Sequence, residues 1–414
     1  MSYDVLIRNC VPRGQQRTVD IGVRDQRIVN MGPGLKGEGK VEIDAEGRLA
    51  TESFVIAHLH LDKVLTGGWI TDESMKAYHQ EFMDTEKAIS LGAKVKERYS
   101  LGEIVSRVRG VLEQAVYYGT THIRAFADVD TKAELKGVSA LLQLRKEFEG
   151  LIDLQVVAFP QEGILTDPGT DEYLRKAMDM GADVVGGIPW LELSDDDAEK
   201  HIDIVFDIAM QYDRDVAMLV DDTADPASRT LEMLCLKTMK ENYGGRVAAN
   251  HARAMAVYNE SRVSRVVSLV AKANVGIVTS PQTGPLHVRV KDLLRAGVPV
   301  ALGQDDCYDA YYSFGRCNMI EVAFLASHLL WMMATSDIDT LVDMASVNPA
   351  QIMRIPGHRL SKGGNANLVV LDAPNLHEAM RNQAEARYVI SHGRLAAETQ
   401  VQRVPRWKIT EKST

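Results

Sequence analysis

From residue 54 to residue 302 the chain repeats one pattern: a short apolar run rich in Val, Ile and Ala, then a longer stretch with apolar residues at helical spacing. Short apolar runs bounded by polar residues read as buried strands, and apolar positions at i, i+3, i+4 and i+7 read as one face of a helix. Eight strands are expected, at 54–57, 122–126, 154–159, 183–186, 215–220, 246–250, 275–279 and 298–302. Helices are expected between nearly all of them, at 102–119, 133–148, 172–180, 201–212, 228–242, 261–273 and 290–296, with a further apolar one at 317–333. That alternation is the count of an α/β fold of the (β/α)8 TIM-barrel type, whose functional groups gather at the C-terminal strand ends. A doubly wound open sheet accounts for the same alternation, but only barrel closure makes the first and last strands neighbours. The two chain ends have another texture. Val5–Arg8, Val19–Val23 and Arg27–Val29 are short strands broken by Asp, Gly and Pro, and Ala366–Leu371, Tyr388–Ile390 and His392–Leu395 return to it. The ends are expected to join as a small β-sandwich, dividing the chain into 1–52, 53–350 and 351–414.

The strand ends carry a polar series. The first ends in His58-Leu59-His60. Alternate residues of a strand share a face, so His58 and His60 can converge on one metal ion while Leu59 packs behind them. Imidazole suits zinc and ferrous iron; histidines bonded to backbone or solvent are the plain alternative. Later ends bring Asp128, Gln161-Glu162, Trp190, Asp221-Asp222, His251 and Asp305-Asp306. Asp305 can meet the histidine pair across the closure, and a two-His, one-carboxylate set leaves positions open for water. Such an ion lowers the pKa of water from about 15.7 to about 7. As a loop acid or helix cap, Asp305 would do none of this. His251 suits orienting that water or stabilising developing charge, or else caps a turn. Of the paired Asp221 and Asp222, one can shuttle a proton to a leaving amine, unless the acidic Asp-Asp-Thr-Ala-Asp run is a solvated turn. Gln161 offers donor and acceptor to a cyclic amide edge. Tyr308, Tyr311, Tyr312 and Phe314 can stack on a flat ring or serve as core or lid. Gln161, Asp221, Trp190 and Tyr311 are the expected substrate contacts. His79, His201, His328 and His358 fall on expected helices or loops and carry no site expectation.

A net charge of -10 argues against nucleic-acid and anionic-membrane partners. No window is apolar enough for a membrane span, and the start Met-Ser-Tyr-Asp-Val-Leu-Ile-Arg lacks the apolar core of a signal peptide. Cys10, Cys235, Cys307 and Cys317 are scattered with no CxxC pair, as expected for free thiols in a reducing cytoplasm. The apolar 317–333 segment is either core or a subunit contact, and a homo-oligomer acting on a small molecule is expected.

Phe54-Val55 followed by His58-Leu59-His60-Leu61-Asp62, the run Ile152-Asp153-Leu154-Gln155-Val156-Val157-Ala158-Phe159-Pro160-Gln161-Glu162-Gly163-Ile164, Gly181–Gly186, Gly303-Gln304-Asp305-Asp306 and Gly364–Leu371 together carry a resemblance. The chain resembles the amidohydrolase superfamily almost end to end, in particular its bacterial cytosine deaminase branch and the related N-isopropylammelide aminohydrolases. The resemblance implies that His58, His60 and Asp305 ligate one divalent ion, zinc or iron. It implies that Gln161 reads the substrate amide, that His251 orients hydroxide and that Asp306 contacts the substrate or its leaving group.

The chain departs from that pattern at three places. The fifth-strand metal histidine falls on Leu219, the catalytic glutamate on Asp222, and a second-strand Arg-Thr-His on Arg124-Ala125-Phe126. Leucine binds no metal, so three ligands plus water suffice, or Asp221 contributes from the same face, or the ion is weak or absent. Asp222 reaches about 1.5 Å less than glutamate, and misplacement of about 1 Å can cost a hundredfold in rate. Leu219 and Phe126 imply a more apolar cavity and a substrate other than cytosine. The expected function is metal-dependent hydrolysis of a C–N bond in a small cyclic amide, amidine or aminated N-heterocycle, with Asp222, His251 and Asp306 catalytic. The alternatives are removal of an N-alkylamine or opening of an acyclic amide, and a catalytically silent ligand-binding protein.

Overall fold

The computed structural model describes residues 2–69, 76, 89–90 and 92–407, and His79 lies outside them. The chain begins with β1 (Ser2–Pro12), β2 (Val19–Arg24), β3 (Arg27–Gly32), β4 (Glu38–Asp44) and β5 (Leu49–Glu52). β1 is long enough to serve two partners in turn. It pairs β2 and β4 along most of its length, then β5 at Val11 and Pro12. β4 escapes a reading by periodicity because Glu-Gly-Lys-Val-Glu-Ile-Asp lies mostly exposed, with only Ile43 buried.

Ser53 alone links β5 to the barrel. Its strands are β6 (Phe54–His60), β7 (Thr120–Asp128), β8 (Asp153–Phe159), β9 (Val184–Gly187), β10 (Asp215–Val220), β11 (Val247–His251), β12 (Gly276–Thr279) and β13 (Val300–Leu302). Each pairs in parallel with the next. The closing contact is a single parallel bridge between Leu59 and Asp305. The His60 amide donates to the Asp305 carbonyl at 2.7 Å, and the Gln304 and Asp305 amides donate to the His58 carbonyl at 3.1 and 3.0 Å. The barrel expected from the alternation is therefore present, and the eight strands fall where the apolar runs lie.

The helix expected from His201 starts at Asp195 instead and ends at Gln211. Ser194 caps it by accepting from the Asp197 amide, and three aspartates occupy its positive N-terminal turn. That turn carries no apolar face until Ala198, so periodicity alone starts the helix late. The 317–333 segment is helical over Met319–Leu329, with Met319, Ile320, Val322, Ala323 and Ala326 buried in the core. Leu329, Trp331 and Met333 stay exposed.

After the barrel, β14 (Leu368–Leu371), β15 (Ala386–Ser391) and β16 (Arg394–Glu398) complete the small sheet in the order β16-β15-β14-β5-β1-β2-β3, with β4 beside β1. β5 lies between β14 and β1, so both chain ends share one sheet. Its core is Val5, Ile7, Ile21, Val23, Ile28, Leu368, Val370 and Ile390. His392 and Gly393 form the turn before β16 rather than part of a strand. Among the described residues no helix is long and apolar enough to cross a membrane.

Candidate active site

β6 carries an irregularity that serves its histidines. The register against β7 shifts between Ile56 and Leu59, where three steps of β6 oppose two of β7. An extra residue in one strand re-aims the side chains around it. His58 Nε2 lies 2.9 Å from Asp305 Oδ1, and His60 Nε2 lies 4.0 Å from the same oxygen. One ligand atom from each of His58, His60 and Asp305 falls within 4.8 Å of the others, the arrangement anticipated from the His-x-His spacing and the closure. Leu59 is buried in the outer core, on the opposite side.

Burial, with Lys63 and His58 adding to it, holds the His60 imidazole well below its ordinary pKa and so neutral. Burial opposes ionisation of Asp305, but His251, the His58 hydrogen bond and Arg253 outweigh it and keep the carboxyl well below the usual range. His251 Nε2 stands 3.6 Å from Asp305 Oδ1, and burial lowers its pKa to about 4. Phe126 packs edge-on against His58, ring centroids 4.2 Å apart, and also contacts His60 and Phe159. It forms the support behind the histidines rather than a wall of the cavity.

The cavity is small, about 30 Å³, and is lined by His60, Gln161, Trp190, Asp222, His251, Asp305, Asp306 and Tyr311, with Ile89, Ile188 and Leu219 as its apolar part. Leu219 thus faces the cavity where a fourth ligand was expected. Asp221 does not, and the expectation of substrate or metal contact from it is corrected. Its backbone is left-handed (φ 46°), which breaks the strand alternation. Its carboxylate accepts from Ser228 Oγ, Thr230 N and Thr230 Oγ1, each at 2.7 Å, from Tyr258 OH at 3.0 Å and from Leu231 N at 3.3 Å. Asp221 is the anchor of the helix Thr230–Lys240. Asp222 lines the cavity and pairs with Arg253, Oδ1 to Nη1 at 3.2 Å.

Asp306 is held well above the ordinary carboxyl pKa by burial and by Asp309 and Asp305; it hydrogen-bonds Asp309, which burial raises to about 6. Of the aromatic cluster only Tyr311 lines the cavity; Tyr308 and Phe314 are exposed.

Lys63, Lys96 and Asp130, not anticipated in the sequence, complete the site around the strand-end acids Asp128 and Glu162. Lys63 donates to Gln161 Oε1 and to Asp128 Oδ1 at 2.9 Å. Lys96 pairs with Asp128 at 3.1 Å, with Asp130 and with Glu162 at 2.9 Å. All but the partly buried Glu162 are fully or nearly fully buried. Lys63 is a donor only, so the Gln161 amide turns its oxygen to the ammonium and its NH2 group away from it. Trp190 Nε1 is a buried donor with no hydrogen-bond partner. Lys63 follows His60 closely in the chain, and a lysine at the end of an apolar strand was the signal available for it.

A parallel eight-stranded barrel with a polar cavity at the carboxyl ends of its strands is an enzyme frame. The chain belongs to the amidohydrolase family, whose profile matches residues 41–397. It is 30% identical over 400 residues to the N-isopropylammelide isopropyl amidohydrolase of Pseudomonas sp. (strain ADP), covering 96% of this chain and 98% of that one. Among solved structures, 5-methylcytosine deaminase from Klebsiella pneumoniae with bound 5-fluorocytosine superposes with a TM-score of 0.89 at 30% identity, over 97% of this chain and 99% of that chain. N-isopropylammelide isopropylaminohydrolase from Burkholderia multivorans gives 0.83 at 26% identity, over 95% and 98%.

Proposed function

We propose that this protein is a metal-dependent amidohydrolase cleaving a C–N bond of a small cyclic amide, amidine or aminated N-heterocycle. The observation that carries this is the convergence of His58, His60 and Asp305 beside a cavity that also holds Gln161, Asp222, His251 and Asp306. The donors fit one zinc or ferrous ion: two imidazoles and an ionised carboxylate, with positions left open. Trp190 Nε1 is buried without a hydrogen-bond partner, a donor that suits a site completed by its ligand. When bound, such an ion makes water acidic enough to act near neutral pH.

The chain's own residues divide the remaining work. Gln161, fixed by Lys63, presents its NH2 group to an acceptor on the ring edge, and Trp190 Nε1 supplies a second donor. Tyr311, Ile89, Ile188 and Leu219 enclose the ring faces and exclude water. Neutral His251 stabilises charge developing at the attacked carbon's oxygen or nitrogen, and Asp222 carries the proton to the departing nitrogen. The four buried free cysteines support a reducing, cytoplasmic setting.

The test is turnover of aminated pyrimidines, triazines and pterins by protein loaded with zinc or iron, scored by ammonia release. His58→Ala is expected to lower kcat/KM at least about a hundredfold. Metal content below a tenth of an equivalent (~0.1), together with unchanged turnover in His58→Ala, overturns the reading. The relatives named for isopropylammelide favour one variation, in which the leaving group is an alkylamine; product analysis separates it from ammonia. Leu219, and the hold of Arg253 on Asp222, favour a silent binder, which predicts ligand binding by calorimetry with no product at stoichiometric metal.

A further inference from the structure

β11 ends in an unusual way. His251 and Ala252 both have left-handed backbones (φ 69° and 49°), and the chain then enters a short 3-10 turn, Arg253–Val257. Two consecutive non-glycine residues in that region are costly, about 1 kcal/mol or more each. They fold Arg253 back over the barrel mouth, where it is 2% exposed. Its guanidinium sits in a built seat. Nη1 is 3.2 Å from Asp222 Oδ1, Nη2 is 3.6 Å from Asp305 Oδ2, and Nη2 donates to Thr283 Oγ1 at 2.7 Å. Thr283 Oγ1 donates in turn to Asp305 Oδ2 at 2.7 Å. Residue 284 is glycine, and a Cβ there would stand 3.0 Å from Arg253 Nη1 and 3.2 Å from Cζ. A side chain there would press on the guanidinium, which would have to give by a few tenths of an ångström.

A buried cation bridging these two acids changes what else can bind. Asp305 is the one carboxylate of the donor set, and Arg253 already draws on its charge. A divalent ion on His58, His60 and Asp305 would share that carboxylate with a permanent positive charge, in surroundings where water screens little. We propose that Arg253 is a built-in counter-cation that competes with the divalent ion for Asp305 and holds Asp222 in place. The site is then a loose, exchangeable metal binder, Leu219 withholding a fourth ligand while Arg253 discounts the third. This rests on the reading of His58, His60 and Asp305 as ligands, but not on turnover.

The experiment is zinc binding by competition with a chelating dye, on wild-type protein, Arg253→Gln and Arg253→Lys, with circular dichroism checking the fold. Arg253→Gln is expected to bind zinc at least tenfold more tightly than wild type, and Arg253→Lys, which keeps the charge, within threefold of it. Zinc affinity in folded Arg253→Gln equal to or weaker than wild type overturns the proposal, whether or not any substrate turns over. Should Arg253→Gln fail to fold, a crystal structure of zinc-soaked wild type decides. Arg253 Nη2 displaced beyond 4 Å from Asp305 supports competition; Arg253 still seated, with or without an ion on His58 and His60, overturns it.

Discussion

Asp221 and Asp222 are the same side chain one peptide apart, and they do different jobs because of one backbone torsion. The left-handed turn at Asp221 sends its carboxylate to the amide end of a helix and leaves Asp222 facing the cavity. Removing Asp221 strands several buried donors, each worth about 1–3 kcal/mol when left unmade. Asp221→Ala is therefore expected to lose about 3 kcal/mol or more in urea unfolding, whereas Asp222→Asn should leave the unfolding midpoint near wild type and cut turnover. Gln161→Leu removes the amide that Lys63 orients. It is expected to raise KM about tenfold or more with little change in kcat, read from steady-state kinetics. The sequence shows His58, His60 and Asp305 as candidates because their logic is short-range: a spacing of two on a strand, and the neighbourhood of first and last strands. Arg253 and Lys96 are illegible there. Their contacts depend on a chain reversal at His251-Ala252 and on side chains from separate loops meeting at Asp128.

At the scale of elements, the loops after β8 and β9 are held together by a pair that periodicity passes over. Glu192 accepts from the amides of Ile164, Leu165 and Thr166 at 2.7, 3.1 and 3.1 Å, and from His201 Nδ1 at 2.7 Å. His201 Nε2 accepts from the Ile188 amide at 3.0 Å, which fixes the tautomer. The clamp ties the loop of Gln161 to the loop of Trp190. Glu192→Ala leaves three amides and an imidazole unsatisfied and is expected to cost about 3–5 kcal/mol. Hydrogen exchange should report the change first at residues 164–166, and retained protection there would count against the clamp. His201 carried no site expectation because on a helix it is just one more polar position. The helix itself was legible except for its acidic first turn. β4 was not, since an exposed edge strand has no buried face to reveal it.

At the scale of the molecule, the (β/α)8 order was legible because each strand is buried on both faces and so leaves a continuous apolar run, as at Phe54–Ala57. The join of sheet and barrel was not. It rests on Ser53, whose carbonyl accepts from His358 Nε2 at 3.0 Å. Burial, with His122 nearby, lowers the His358 pKa from 6.5 to about 4. The folded protein keeps it neutral while the unfolded chain takes up a proton below about pH 6.5, so this contribution is intact above 6.5 and is lost as pH falls toward 4. Wild type is expected to lose on the order of 2–3 kcal/mol more than His358→Gln between pH 7 and 4.5, measured by urea unfolding at both.

The closing bridge between Leu59 and Asp305 has a mechanical meaning for the whole barrel. Among the described residues, only there does the wall depend on an isolated bridge, and the side chains beside it, His58, His60 and Asp305, come from both sides of the gap. Anything gripping all three acts as a rivet across that seam. Whatever rivets it, a bound ion or the hydrogen bond between His58 and Asp305, keeps the first and last strands in register, so the barrel's integrity and its chemistry share a fastener.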